Sequence, residues 1–268
     1  MRANQLLIHI ATKTKGDAKA MLDIIREKRP FSLEEVEETN KSLKSKAFTI
    51  VDPCYPKSFH ECHFPPICMF YKGNLDLIRD YRKCCTIVGS RMASEYAIKR
   101  VGEIAEELAK RGITIVSGLA KGIDGAALRA AAPYGKAVAV LGNGLDYHYP
   151  SENRDLQDRI AKEGLLMTEY PEGVAPKADH FPCRNRILAA LGSVVFIGEA
   201  HAHSGTIVTV AHALDLNRDV AVLPFRATDG TMNNHLIADG ATLAETADDI
   251  MDMMNFGYQK AEDEDEEK

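Results

Sequence analysis

Four cationic residues, Arg91, Lys121, Arg184 and Arg186, stand in or beside short segments whose chemistry suits an anion. The segments are Gly89-Ser90-Arg91, the run Ser117 to Asp124 with Gly118 and Gly122, Gly142-Asn143-Gly144, and His201 to Thr206 with Ser204, Gly205 and Thr206. A further stretch, Phe181-Pro182-Cys183-Arg184-Asn185-Arg186, precedes the last of these. Glycine lets backbone N–H groups approach a ligand, and a following helix N-terminus adds roughly half a positive charge. Arginine contributes a planar fork that matches phosphate bidentately. A phosphate-rich ligand is the economical reading. Singly, each loop is equally a tight turn whose arginines meet surface carboxylates; four on one edge favour the ligand.

Other chemistries fit less well. Gly142-Asn143-Gly144 lacks the third glycine of a dinucleotide fingerprint, and no triphosphate loop, nucleophile elbow or zinc helix occurs. Ser117, Ser204, His201, His203 and Asp124 have no triad spacing. Cys54, Cys62, His63 and Cys68 lack a Cys-x-x-Cys pair and are interrupted by Phe64, Pro65 and Pro66, so reduced structural thiols are expected there rather than a metal. No cofactor is implied.

The elements that position these segments follow from periodicity. Residues 1–45 read as helical, with Ala18, Met21, Leu22, Ile24 and Ile25 on one stripe and Ser32 capping a second helix through Glu37. Residues 46–83, broken by Pro53, Pro56, Pro65 and Pro66, read as an extended segment packing on the core. From Cys84 to about residue 256, β-branched runs at 86–88, 113–116, 137–141, 165–168, 194–197 and 220–223 alternate with helical patterns at 94–110, 124–131, 151–162, 184–191, 204–215 and 246–254. That alternation predicts an α/β fold, a doubly wound, mostly parallel Rossmann-like sheet. Ligands of such sheets bind at the carboxyl ends of the strands, where all the glycine-bearing segments fall.

Charge looks unfavourable for nucleic acid at first. The net value is −6, from 33 Lys+Arg against 39 Asp+Glu. Residues 261–268 hold six acids and one lysine, a charge of −5, and lie within an acidic tail, 257–268, whose composition predicts disorder. The tail is either a solubilising extension or a competitor for the basic edge. No apolar run of about 18 residues and no secretory signal is present, so no membrane association is expected and a cytoplasmic protein is.

Taken in order, Ile87-Val88-Gly89-Ser90-Arg91, Val116 to Asp124, Ala139-Val140-Leu141-Gly142, Tyr149-Pro150, Thr168-Glu169-Tyr170-Pro171, Phe181 to Ile187, Ser204-Gly205-Thr206 and Leu236 to Ala241 resemble the DprA/Smf DNA-processing family. The resemblance runs from about Tyr55 to about Ile250. It implies a protein that binds and protects single-stranded DNA, helps load the RecA recombinase in recombination and natural transformation, dimerises through its core and is not an enzyme. By the family's pattern Arg91, Phe181, Arg184, Asn185 and Arg186 line the DNA pocket, with Lys121 and Ser204-Gly205-Thr206 beside them. Phe181 is then a stacking face, each stacked base contributing roughly 1 to 3 kcal/mol; its alternative is a hydrophobic lid. Tyr170 is a second candidate platform.

The chain departs from the pattern at Leu128, where the family has histidine, and at His203, where it often has a basic residue. The resemblance would also call for a helix-hairpin-helix turn before residue 45 and a winged helix after Ile250, and neither is expected from the residues given. Two other readings share the pocket. LOG-type phosphoribohydrolases need a glutamate just after a Gly-Thr turn, and Ser204 to Thr209 supplies none. A nucleotide-sensing module would be revealed by mononucleotide competition with DNA.

Overall fold

The computed structural model describes residues 2–202 and 204–254; His203 and the acidic tail lie outside them. Among the described residues nine strands form one sheet in the order β1-β2-β6-β5-β4-β3-β7-β8-β9. The six expected strands are β3 (Cys84–Val88), β4 (Thr114–Ser117), β5 (Ala137–Leu141), β6 (Leu165–Thr168), β7 (Val194–Ile197) and β8 (Asp219–Val222). They pair in parallel, as their unbroken apolar text requires. From β3 the chain winds outward to β6, then returns to place β7 on the other side of β3. The two directions of winding therefore part between β3 and β7.

Side chains alternate across the sheet. Cys85 and Ile87 of β3, with Ala137, Ala139 and Leu141 of β5, face one apolar layer with α4 (Glu95–Lys110), α5 (Ile123–Ala131) and α6 (Arg154–Glu163). Cys84 and Val88, with Val138 and Val140, face the other, where α7 (His180–Leu191) and α8 (Gly205–Asp215) pack. Burying each aliphatic side chain of these layers contributes about 1.5–3 kcal/mol. The doubly wound α/β fold expected from the alternation is thus observed.

Three features go beyond the expectation. The segment 46–83 supplies β1 (Lys46–Thr49) and β2 (Cys68–Gly73), which add to the sheet as an antiparallel edge on β6. Its prolines fall between the strands, where no ladder N–H is needed. The first 45 residues form α1 (Ala3–Lys13), α2 (Ala18–Arg26) and α3 (Leu33–Ser42), the last opened by a reciprocal Ser32/Glu35 capping box. Helix α7 begins at His180, four residues before the expected start at 184, so Phe181, Pro182 and Cys183 lie on its first turn. Pro182 is tolerated there because first-turn N–H groups have no intrahelical acceptor. Helix α9 (Asn233–Ala238) and the short β9 (Thr242–Leu243) follow β8, and residues 247–254 are helical.

A candidate anion and base-stacking groove

The loops after β3, β4, β5 and β7 meet over the β3/β7 junction and enclose an open groove of about 590 Å³ with a smaller recess beside it. That volume lies in the range of ligand sites and exceeds what a single ion needs. Gly89, Ser90 and Arg91 form one wall, the start of α8 the opposite one, and α7 the floor. Gly118 and Gly142 open the recess.

Each wall is fixed by buried hydrogen bonds. Ser90 N–H donates to the carbonyl of Glu199 at 2.7 Å, coupling the loop after β3 to that after β7. The buried Glu199 carboxylate accepts from Ser94 N–H at 2.8 Å and Ser94 Oγ at 2.6 Å, and lies 2.9 Å from His201 Nε2. Leu119 takes a left-handed φ of +59°, unusual for a branched side chain. Asn153 Nδ2 holds that turn by donating to the carbonyls of Leu119 and Ala120 at 2.9 and 3.0 Å.

Arg184 forms the floor and is 5% exposed. Its Nη1 donates to the carbonyls of Gly118 and Val140, and its Nε to Asn185 Oδ1. No described acceptor is bonded to Nη2, which leaves that nitrogen for the groove. Burial lowers its pKa to about 10, so the guanidinium keeps its proton at neutral pH. The buried Asp124 carboxyl lies opposite, pushed up by burial and drawn back by Arg184 and backbone N–H donors.

The wall at α8 is built for an acceptor. Ser204 occupies the N-cap position yet makes no capping bond, and its Oγ is buried without a partner. The N–H groups of Gly205 and Thr206, residues that line the groove, therefore have no side-chain cap, while that of Ile207 donates to the Ser204 carbonyl at 3.1 Å. Asn185 Nδ2 anchors this turn by donating to the Gly205 carbonyl at 3.1 Å.

Opposite stands an aromatic pair. Phe181 and Tyr149 stack with ring centroids 5.5 Å apart at 28°, and the exposed Arg91 guanidinium lies 5.3 Å from the Phe181 centroid. Neither Arg91 nor the nearby Lys177 has an ion-pair partner among the described residues, so both charges face solvent. Tyr149 and Lys177 line the groove although sequence alone assigns them no role. Tyr149 carried a signal in its Tyr-Pro motif; Lys177 lies in a loop whose path no local pattern fixes.

Most residues singled out from the sequence converge here: Arg91, Phe181, Arg184, Asn185 and the Ser204 to Thr206 turn. Others do not face the groove. Arg186 makes a bidentate pair with Glu169 at 2.6 and 2.7 Å and donates to the carbonyls of Phe64 and Cys183, so its donors are spent on holding α7. Lys121 sits at the rim paired with Glu152. Gly144 and Gly122 shape turns outside the lining. Tyr170 is 7% exposed and covered face-on by His180 at 4.0 Å, so it offers no open face to the groove, and the ring beside Phe181 there is Tyr149. Among the described residues no cluster of metal-ligating side chains occurs, and no helix is long and apolar enough to cross a membrane.

The fold and groove define a Rossmann-like protein with a crevice at its topological switch point, lined by cations, a helix start and stacked aromatic rings. The chain belongs to the DNA recombination-mediator protein A family, whose model matches residues 46–255. It is 39% identical to the DNA processing protein DprA of Streptococcus pneumoniae, over 85% of this chain and 81% of that protein. It is 41% identical to the protein Smf of Synechocystis, covering 73% of this chain and 49% of that one. The crystal structure of the pneumococcal protein superposes with a TM-score of 0.74 at 34% identity, each chain covered to 92%. The DNA processing protein A of Helicobacter pylori, studied for its single-stranded DNA binding mode, superposes with a TM-score of 0.72 at 29% identity over 82% of this chain and 98% of that one.

Proposed function

We propose that the groove over β3 and β7 binds single-stranded DNA, and that this is the means by which the chain acts as a recombination mediator. The observation that carries the reading is the Tyr149–Phe181 stack with Arg91 above it, facing the uncapped start of α8 across one groove. Stacking rings accept any base, and the helix start with Arg91, Lys177 and Arg184 Nη2 accepts phosphate, which together describe a strand rather than a duplex. The single-stranded DNA binding of the Helicobacter pylori relative supports it.

In this reading the site has no catalytic residue. The carboxylate beside the recess, Asp124, accepts N–H bonds from Gly118 and Ala120, a positioning role. The partners that follow from family membership are the host RecA recombinase and a second copy of this chain, in the cytoplasm, with residues 84–254 as the binding core. Natural transformation is the setting in which such a mediator protects incoming strands.

The test is a gel shift of oligo-dT against duplex, comparing wild type with Arg91→Ala and Arg184→Ala. Tighter binding of the oligo-dT, weakened in both variants, is expected; three equal affinities overturn the site. Pull-down with the host recombinase tests the partner.

A further inference from the structure

A second cationic surface lies at the opposite end of the sheet, where strands β3 to β5 begin. It is a groove of about 800 Å³ bordered by the segments 56–61 and 74–83 and by Gly112, Thr114 and Lys136. Lys57, Arg79 and Lys83 are exposed around it, and none of these three or Lys136 has an ion-pair or side-chain hydrogen-bond partner among the described residues. Its acids are largely neutralised: Glu61 pairs with Arg218 at 2.5 Å and Asp80 with Arg82 at 2.9 Å, leaving Asp76. A concave surface with four unpaired cations and one unpaired carboxylate calls for an anionic occupant.

The chain carries one, and its backbone delivers it to this end. Arg100, early in α4, donates to the Glu245 carbonyl at 2.7 Å; Arg111, just past its end, pairs with Asp248 and donates to Met251 Sδ at 3.6 Å. Residues 245–251 thus run along α4 from the DNA-groove edge towards the strand starts. Arg111 is adjacent to Gly112, which lines the basic groove. The acidic run begins at Glu262, eight residues beyond Met254, a reach of at most about 29 Å. Arg111, whose side chain meets Asp248 and Met251, adjoins the basic groove, whereas the sixteen-residue α4, about 24 Å long, separates it from the loop that holds Arg91.

We propose that the acidic tail, residues 261–268, docks in this basic groove of its own chain. Six carboxylates meet four unpaired cations, and tethering raises the effective concentration to the order of millimolar, enough to populate a weak association. Docking closes a cationic surface that would otherwise attract nucleic acid away from the switch-point groove, and it is screened by salt.

Lysine acetylation with an N-hydroxysuccinimide ester, read by mass spectrometry, tests it. The full chain is compared with a chain ending at Met254 and with a full-length variant whose six tail acids are amides. In both altered chains Lys57, Lys83 and Lys136 are expected to label about fivefold faster or more, with the exposed Lys19 unchanged. Molar salt should erase the difference. Equal rates overturn the proposal, as does deprotection of Lys121 and Lys177 instead, which would put the tail on the DNA edge. Protection of the three lysines by oligo-dT in the truncated chain, without a difference in its absence, would assign the groove to nucleic acid and equally overturn it.

Discussion

Arg184 and Asp124 hold the same peptide segment from two sides: the Gly118 carbonyl accepts from Arg184 Nη1 at 2.8 Å, and the Gly118 N–H donates to Asp124 Oδ2 at 3.1 Å. Both side chains are buried, and the charge of each offsets the desolvation of the other. Arg184 is therefore as much a keystone of the β4 loop as a ligand group. Arg184→Ala leaves a buried carboxylate alone and is expected to cost about 3–5 kcal/mol, read from the urea midpoint at constant slope. Arg91→Ala, at an exposed position, should weaken DNA binding with no midpoint change. Weaker binding in Arg184→Ala alone would mark a folding defect and not a direct role in holding DNA.

Stacking separates the two aromatic candidates. Tyr149→Ala and Phe181→Ala should each weaken oligo-dT binding by about 1–3 kcal/mol, or about fivefold to 150-fold, in fluorescence anisotropy. Tyr170→Phe, beneath His180, should leave affinity unchanged.

Two glycines on the same groove give opposite outcomes. A Cβ on Gly118 would lie 2.4 to 2.6 Å from the Arg184 guanidinium, which cannot retreat from its buried bonds. Gly118→Ala is expected to cost about 1–3 kcal/mol by overpacking and to disturb the recess. At Gly205 the nearest neighbour, Asn185 Nδ2, is 3.9 Å away, so Gly205→Ala should keep or slightly raise Tm and keep DNA binding. Thermal scans and anisotropy on both variants check the pair.

Stability should fall in mild acid. Burial lowers the pKa of His9 and of His212 below the ordinary 6.5, with Lys13 adding to the effect at His9. The unfolded chain then takes up protons that the native state refuses, so stability conferred by these neutral rings is present above 6.5 and is lost as pH falls below it. Thermal melts from about pH 7.5 down to about 5.5 should show a declining Tm, and His9→Gln should flatten the slope. A Tm that rises over this window overturns the assignment.

The salt dependence of binding counts the phosphates held. Removing one cation that neutralises a phosphate should reduce the slope of log affinity against log salt by about 0.7 for a single strand. Arg91→Ala and Lys177→Ala are each expected to do so, in titrations at several salt concentrations.

The parallel core was legible because strands buried on both faces have near-continuous apolar runs, as in Ala137 to Leu141, and because Ser94 and Ser32 mark helix starts. The edge strands β1 and β2 were not: Phe48 and Phe70 are buried by pairing with distant segments, which no local period records. In the groove, residue types announced the anion chemistry, but only tertiary partners separated Arg91 from Arg186. Glu169 claims Arg186, seventeen residues from it in the chain, while no described acid claims Arg91. The sequence singled out Tyr170 and gave Tyr149 no role, because the stacking of His180 on Tyr170 and of Tyr149 on Phe181 is tertiary and leaves no local pattern.

The position of β7 beside β3 has a consequence for synthesis on the ribosome. Val88 pairs with Ile197, more than a hundred residues later, and the wall that completes the groove begins at Ser204. A nascent chain that has released β3 to β6 has an assembled half-sheet but only one wall of the crevice. The crevice is complete only when α8 emerges and β7 inserts beside β3, so under the proposed function competence for DNA arrives late and all at once, after most of the fold is in place.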